Sequence, residues 1–456
     1  MAKKKQIELT IEEKLQNALV PKEEQPYKIP SNWCWIRLEN IAEWGSGGTP
    51  SRKRKEYYNG NIPWIKTGEL NNGYIFNSEE KITELGLKNS SAKLYPINTV
   101  IIAMYGATIG KVGILSIEAT TNQACACAIV YKNILFKYVF HYLIYQKEAF
   151  INKSKGGAQP NLSQEIIKKH EIPLPPIKEQ QRIVNIIESL FAKLDRAKEL
   201  IENTLAQFEQ NKMAILHKAF TGELTAKWRK ENNIDLSSWQ DYQLKDICEK
   251  ITDGTHNSPI NTDLGDYMYI TAKNIKEEGI DLSKITYVSS DIHEKIYARC
   301  NVEFGDVLYI KDGATTGIAT INTIKEQFSL LSSVAVLKPK KNKLLAKYLV
   351  YKLNSNEVRN MMINNMSGVA ITRLTLTKIK QAKMKFPTIE EQQEIVNILD
   401  NLLVKYNKIK NLEQQLEKIE LLKKAILAKA FRGELGTNNP DEESAENLLK
   451  EILAEK

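Results

Sequence analysis

Two stretches of this chain carry apolar residues at three- and four-residue spacing for far longer than an ordinary globular helix. From Ile183 they run Ile187, Leu190, Leu194, Ala197, Ile201, Leu205 and Phe208, then Ile215 and Ala219 after an interruption at Lys212. From Ile395 they run Leu399, Leu402, Tyr406, Ile409, Leu412, Leu416, Ile419, Leu422, Ile426 and Ala430. The mean step of about 3.5 residues is that of a coiled-coil seam, and the abundant Lys and Glu between these positions keep the other faces wet. Each stretch starts just after proline, Pro175-Pro176 or Pro387, and stops near glycine, Gly222 or Gly433. At 1.5 Å per residue each is a rod of roughly 60 Å, which must pack on the other rod or on a partner to be stable.

The pattern elsewhere is different. Short apolar runs bounded by glycine or proline, Thr99–Met104, Gly305–Ile310 and Ser333–Leu337, predict strands, and Phe136–Ala149 and Leu344–Asn354 have helical spacing. Thr10 to Glu13 forms a capping box ahead of a short helix that ends before Pro21, and Glu442–Glu455 is amphipathic. The terminal helices are expected to pack on the chain's own rod or on another subunit.

The two rods are copies. Glu179–Ile186 (EQQRIVNI) returns as Glu391–Ile398 (EQQEIVNI), and Lys212–Leu224 (KMAILHKAFTGEL) returns as Lys423–Leu435 (KKAILAKAFRGEL). The match extends upstream: Trp33, Leu38, Ile41 and Gly48-Thr49 recur as Trp239, Leu244, Ile247 and Gly254-Thr255, and Gly106-Ala-Thr108 recurs as Gly313-Ala-Thr315. A period near 210 residues is that of a duplicated domain rather than of a solenoid. The helices are the constant part, and the segments between them diverge.

Charge follows that division. Of the formal +9, residues 27–175 carry +7 and 236–386 carry +5, while the rod segments are near neutral and the last twenty residues are acidic. A polyanion would meet the chain's field at the two variable segments, although solvated domains can show the same excess. The basic start, Lys3-Lys-Lys5, lacks the apolar run of a secretory signal, and no stretch reaches the length of a membrane span. Five cysteines without a C-x-x-C pair suit reduced thiols and a cytoplasmic setting, and Cys125-x-Cys127 reads as two buried strand residues.

Catalytic signatures are missing. Gly106–Lys111 is one residue short of a phosphate loop and is followed by Val112; the five histidines lack metal-ligand spacing; no G-x-S-x-G elbow is present. No N-P-P-[FY] or D-P-P-Y tetrapeptide of the amino-methyltransferase kind occurs either. The chain therefore reads as a non-enzymatic binding or scaffolding subunit.

Two variable domains, each followed by P-x-x-x-E-Q-Q (from Pro175 or Pro387) and a long helix ending K-A-F-x-G-E-L, resemble the specificity subunit of type I restriction-modification systems, over essentially the whole chain. The resemblance implies an α+β protein: two target-recognition domains separated by two long antiparallel helices in a coiled coil, with an internal pseudo-two-fold repeat. The boundaries become an N-terminal helical segment (1–26), recognition domain 1 (27–175), spacer helix 1 (176–224), a linker (225–235), recognition domain 2 (236–386), spacer helix 2 (387–435) and an acidic helical tail (436–456). It also implies that each domain reads one half of a bipartite, asymmetric site in double-stranded DNA. The helices would set the spacing and dock two methyltransferase subunits for adenine-N6 methylation, with two restriction motor-nuclease subunits as further partners. No cofactor is implied in this chain; S-adenosylmethionine would belong to the methyltransferase, and ATP and Mg to the restriction partner.

Four loops per domain fit DNA contact on physical grounds. In the first domain they hold Gly47, Gly48, Thr49, Arg52, Lys53 and Arg54; then Lys66 and Thr67; then Tyr105, Thr108 and Lys111; then Gln159 and Asn161. In the second they hold Gly254, Thr255, His256 and Asn257; then Thr271, Lys273 and Asn274; then Lys311, Thr315 and Thr316; then Arg373. Glycine permits close backbone approach, cations suit phosphate or guanine, and asparagine can pair with adenine. Ordinary glycine-rich turns would look the same. A coiled-coil adaptor with duplicated protein-binding domains is the rival class, and a self-sufficient methyltransferase or nuclease a third. Phe220 and Phe431, in the K-A-F-x-G-E-L repeats, are expected to anchor each rod on the opposite domain.

Overall fold

The computed structural model describes residues 9–154, 161–364, 374–407 and 410–455, with side chains undescribed from 403 to 411. The chain forms two units, one from residues 1–200 and 415–456 and the other from 201–414.

In the first unit a five-stranded sheet runs in the order Ala42–Ser46, Cys125–Val130, Val100–Ala103, Val112–Leu115, Gly73–Ile75, antiparallel except for the last, parallel pair. Val100 and Ile102 enter one apolar core while Ile101 and Ala103 enter a second. The two-residue alternation of a strand thus explains the unbroken apolar run: both faces are covered. Cys125 and Cys127 lie buried on the second face, as the alternation predicts, and burial pushes the Cys127 thiol up to about 12. A smaller sheet pairs Tyr58–Ile65 with Glu80–Ile82 and Thr120–Thr121.

The second unit repeats this plan. Its four-stranded sheet runs Cys248–Asp253, Val334–Pro339, Val307–Ile310, Ala319–Ile321, and Val307 and Tyr309 face one core while Leu308 and Ile310 face the other. A three-stranded sheet sets Tyr267–Ile270 between Thr286–Val288 and Ser329–Leu330. Helix Ala346–Leu353 matches Phe136–Tyr145 of the first unit. The predicted helix 136–149 is broken, however: a second helix, Lys147–Lys153, starts at Gln146, whose ψ of 4° is not helical.

The first rod is one helix, Ile177–Thr221, of 45 residues and about 68 Å. Gly222 ends it at φ +86°, a conformation open to glycine. The second is described as Ile389–Asn407 and Lys410–Phe431, with Gly433 at φ +74° beyond it. Within the first unit the two run antiparallel, since Lys423 pairs with Asp195 at 2.5 Å and Lys198 with Glu420 at 3.1 Å. The seam departs from expectation at Leu422, which is 50 % exposed. Lys423 turns inward instead, its ammonium 5.2 Å from the centre of the Phe191 ring, so a lysine replaces the leucine on the packed face. No helix among the described residues is long and apolar enough to cross a membrane.

The repeated E-Q-Q is a buried polar plug. Glu179 accepts hydrogen bonds from Trp33 Nε1 (2.8 Å), Asn438 Nδ2 (2.9 Å) and Thr437 Oγ1 (3.2 Å). Glu391 accepts from Trp239 Nε1 (2.9 Å), Thr225 Oγ1 (2.6 Å) and Arg229 Nη1 (2.5 Å). The next residue in each copy, Gln180 or Gln392, accepts from the backbone N–H of Leu135 or Leu345 and donates to the carbonyl of Pro175 or Pro387. These side chains therefore lock each rod's first turn onto its own domain. The K-A-F-x-G-E-L ends cross over. Phe431 lies among Tyr138, Tyr142 and Tyr145 of the first unit, with centroids 4.9 to 5.5 Å away, and Phe220 packs 5.6 Å from Tyr348 of the second. Each domain is closed by the helix end of the other repeat, as expected of these phenylalanines.

Candidate nucleic-acid interface

In the first domain, Ala42–Ser46 runs into Gly47-Gly48. The Gly48 N–H donates to Thr121 O at 2.8 Å. A Cβ on Gly47 would lie 2.1 Å from that same oxygen, and one on Gly48 2.3 Å from Ala92 N. These glycines are required by backbone packing inside the domain, a different reason from close approach to a ligand. The following turn presents Arg52, Lys53 and Arg54, all exposed. Arg52 lies over the rings of Tyr58 (4.5 Å) and Trp64 (4.9 Å) and forks onto Glu80 at 2.5 and 3.2 Å. Lys66 reaches Glu79 and Glu80, each at 3.0 Å. The Arg52 hydrogen bond, with Lys66 adding to it, holds the Glu80 carboxyl down at about 2. The guanidinium is thus aimed by two rings and a carboxylate, with its plane fixed. Arg54 is paired more loosely with Glu56 at 3.4 Å.

Around this turn stand Thr49, hydrogen-bonded to Gln123; Thr67, half-buried at the head of a short turn; and Tyr105, 39 % exposed. Thr108 donates to Tyr105 O at 2.9 Å, Lys111 is half-buried, and Asn161 forms a β-bridge with Tyr105. The structure brings Tyr105 and Asn161 together across 56 positions of sequence. Gln159 lies outside the described residues.

The second domain uses the same loops with other chemistry. Gly254 passes so close to Leu330 O that a Cβ would sit 2.0 Å away. Thr255 donates to Asn257 O at 3.0 Å, and His256 is exposed. Thr271 and Asn274 close a turn through Asn274 Oδ1, and Asn274 is itself buried, donating to Asp281 O at 3.1 Å; Lys273 on that turn is exposed. Thr315 is exposed, but Thr316 is buried and donates to Gly313 O at 2.7 Å. Lys311 departs furthest from an outward-reaching cation: it is buried, with Nζ 3.4 Å from Asp253 and 3.0 Å from Asp312. Asn274, Thr316 and Lys311 are shaping residues of their loops, because their polar atoms are already paired inside. Arg373 lies outside the described residues.

Sequence reasoning passed over four residues here: Glu80, Gln123, Asp253 and Arg299. Asp253 is adjacent to the matched Gly-Thr loop and could have been noticed there. Arg299 ends the helix Ser290–Arg299 and has no local signal; only the fold carries it to Asp253, at 2.6 Å. Among the described residues no His, Cys, Asp and Glu cluster could hold a metal ion.

The family described as type I restriction modification DNA specificity domain matches twice, at residues 30–207 and 237–421. The type I restriction enzyme MjaIX specificity subunit of Methanocaldococcus jannaschii is 26% identical over 421 residues, covering 90% of this chain and 94% of that protein. The EcoKI specificity subunit of Escherichia coli K12 is 24% identical over 454 residues, with 94% and 96% covered. Among solved structures, one from a study of assembly and conformational transition of the type I R-M system superposes with a TM-score of 0.67 at 20% identity, over 90% of this chain and all of that one. The HsdS subunit from Thermoanaerobacter tengcongensis gives 0.53 at 19%, with the same coverage.

Proposed function

This chain belongs to the family of type I restriction-modification DNA specificity proteins, from which we infer that it is the non-catalytic, sequence-reading subunit of such a complex, acting with modification and restriction subunits. The two family matches each cover one variable domain and much of the rod that follows it, and that double match carries the reading. Each domain reads one half of a bipartite, asymmetric duplex site. In the first, Arg52 on its aromatic shelf, Lys53, Arg54, Tyr105 and Asn161 form the contact set. In the second, the contact set is His256, Asn257, Lys273 and Thr315. The glycines 47, 48 and 254, with Thr49, Thr255, Thr271, Asn274, Lys311 and Thr316, hold the loops in shape. The helices fix the unread gap between half-sites and dock two modification subunits, whose S-adenosylmethionine supplies the methyl group for adenine N6.

Two observations favour this over a protein-binding adaptor. The positive excess lies on the variable domains rather than on the rods, and the loops at matched positions differ in their polar side chains, as two readers of different half-sites require. The test is a mobility shift with the co-expressed modification subunit, followed by sequencing of methylated adenines. Retention on one bipartite sequence is expected. Retention indifferent to sequence, with no defined methylation site, would reject the reading.

A further inference from the structure

The two most exposed large apolar side chains among the described residues lie four positions apart in one loop of the second domain: Leu264 is 85% exposed and Ile260 84%. A single exposed leucine is ordinary on a protein surface, but two together, on a segment exposed from His256 to Asp266 except at Pro259, call for a reason. The loop is not slack. At its start Gly254 is pressed against Leu330 O, and the Thr255 hydroxyl donates to Asn257 O at 3.0 Å. At its end Thr262 exchanges backbone hydrogen bonds with Tyr287 (3.1 and 2.8 Å), and Asp266 accepts from Ser290 N at 3.0 Å. Small turns close beside each apolar residue: Asn261 Nδ2 donates to Pro259 O at 3.1 Å, and Thr262 Oγ1 to Leu264 O at 2.6 Å. Both side chains are therefore carried outward on braced backbone, which lowers the ordering cost of any contact they make.

The loop follows Gly254-Thr255 and carries His256 and Asn257, so it is continuous with the recognition surface of the second domain. At the shift of 206 that sets Gly48-Thr49 on Gly254-Thr255, Arg52, Lys53 and Arg54 fall on Ser258, Pro259 and Ile260. Where the first domain places three cations, the second has none: residues 254–266 contain no Lys or Arg, and they include Asp263 and Asp266. Such a loop repels phosphate and displaces no counterions from DNA. What the major groove offers an aliphatic side chain is the 5-methyl group of thymine, the other groups on the base edges being donors and acceptors. Asn257, exposed three positions before Ile260, is the residue type that pairs with adenine, thymine's own partner.

We propose that Ile260 and Leu264 are specificity-determining residues of the second domain, reading thymine 5-methyl groups in the major groove of its half-site. The proposal rests on the DNA-recognition reading above. The test uses the full chain assembled with its modification subunit, on the duplex site that sequencing of methylated adenines defines. Deoxyuridine replaces thymidine one position at a time, which removes the 5-methyl group and no hydrogen-bonding atom. In the wild type one or two such replacements, confined to one half-site, should each weaken binding about fourfold, the worth of one buried methyl-sized group. The same replacements should make no difference to the double variant Ile260→Ser with Leu264→Ser. Its salt dependence should equal that of the wild type, because an apolar contact neutralises no phosphate. At 84 and 85% exposure neither side chain supports the core, so the unfolding midpoint should not move. Indifference of the wild type to every deoxyuridine, or equal sensitivity in the double variant, overturns the proposal. So does a double variant that binds DNA as the wild type does but assembles less well with the modification subunit, which would make the pair a protein-docking surface. A wild-type complex that methylates no defined sequence overturns the recognition reading itself.

Discussion

Truncating Arg229 to alanine should destabilise the second unit by about 3 kcal/mol and leave the first unchanged. Arg229 and Glu391 form an ion pair with side chains 9% and 0% exposed. Arg229 Nη1 bonds Glu391 at 2.5 Å and Thr225 Oγ1 at 3.0 Å, and Nη2 bonds Gly222 O at 2.6 Å. Removing one member of a buried pair costs about 3–5 kcal/mol, because the other charge stays desolvated without its partner. Trp239 and Thr225 still donate to Glu391 after truncation, which sets the expected loss at the lower end. In Arg229→Met with Glu391→Gln the buried charge is gone, the amide oxygen can accept from Trp239 and the amide NH2 can donate to the Thr225 hydroxyl, so most of the loss should return, to within about 1 kcal/mol of wild type. The first unit is the internal control, for Glu179 is held there by Trp33, Thr437 and Asn438, and no cation among the described residues is bonded to it. Hydrogen exchange of peptides spanning 389–399 and 177–187, with urea titration, measures both joints in one sample. A loss under about 1 kcal/mol, an equal loss at the two joints, or no recovery in the double variant would refute the reasoning.

Three further outcomes are expected. Replacing Arg52, Lys53 and Arg54 together by alanine should weaken DNA binding and flatten its salt dependence, by roughly 0.9 in slope for each phosphate contact removed; an unchanged slope would take that turn out of the phosphate interface. Inserting four residues after Leu200, about one helical turn or 6 Å, should lengthen the unread gap in methylation-site sequencing while leaving both half-sites as they were; an altered half-site would sink the ruler idea. Lys352 is 4% exposed, ringed by Phe220, Trp239, Tyr348 and Phe386, and burial lowers its ammonium to about 8. The unfolded chain keeps that proton up to its ordinary value of 10.5, so between these limits it binds more protons than the folded one, and stability should rise with pH. Lys352→Met should stabilise the protein at neutral pH by about 2 kcal/mol, the rings offsetting part of the burial penalty, and should remove that rise; a variant with the same pH profile would show that Lys352 is not its source.

Much of this fold is legible from periodicity because periodicity is a local property. The strand Val100–Ala103 announced itself by composition, and Gly222 and Gly433 marked the helix ends that their positive φ requires. Joints were less legible. Repetition singles out Glu179 and Gln180 in sequence without telling their role, and 0% exposure makes them the plug of a domain boundary assembled from Trp33 and Thr437. Leu422 fitted the heptad and still faces water, since spacing cannot tell which of two neighbouring residues a partner helix will cover. The recognition loops could be found as loops, while their chemistry could not. Lys311 and Lys273 look alike in sequence, yet one is buried beside two aspartates and the other is free to reach out. Arg299 meets Asp253 only because the fold brings position 299 to position 253.

The crossing of the helix ends has a consequence for the order in which the protein is made. Tyr27 Oη donates to Phe431 O at 3.1 Å, a bond that spans 404 residues of sequence. A ribosome emits the second unit, 201–414, as one contiguous stretch. The first unit must wait for the helix Lys410–Phe431, which is made after the second unit, so its domain closes after the second unit's. Until then Tyr138, Tyr142 and Tyr145 lack their cover, and nascent apolar surface of this kind is where chains aggregate or recruit chaperones. A truncation after residue 414 would therefore damage the domain of residues 27–175, some 240 positions upstream.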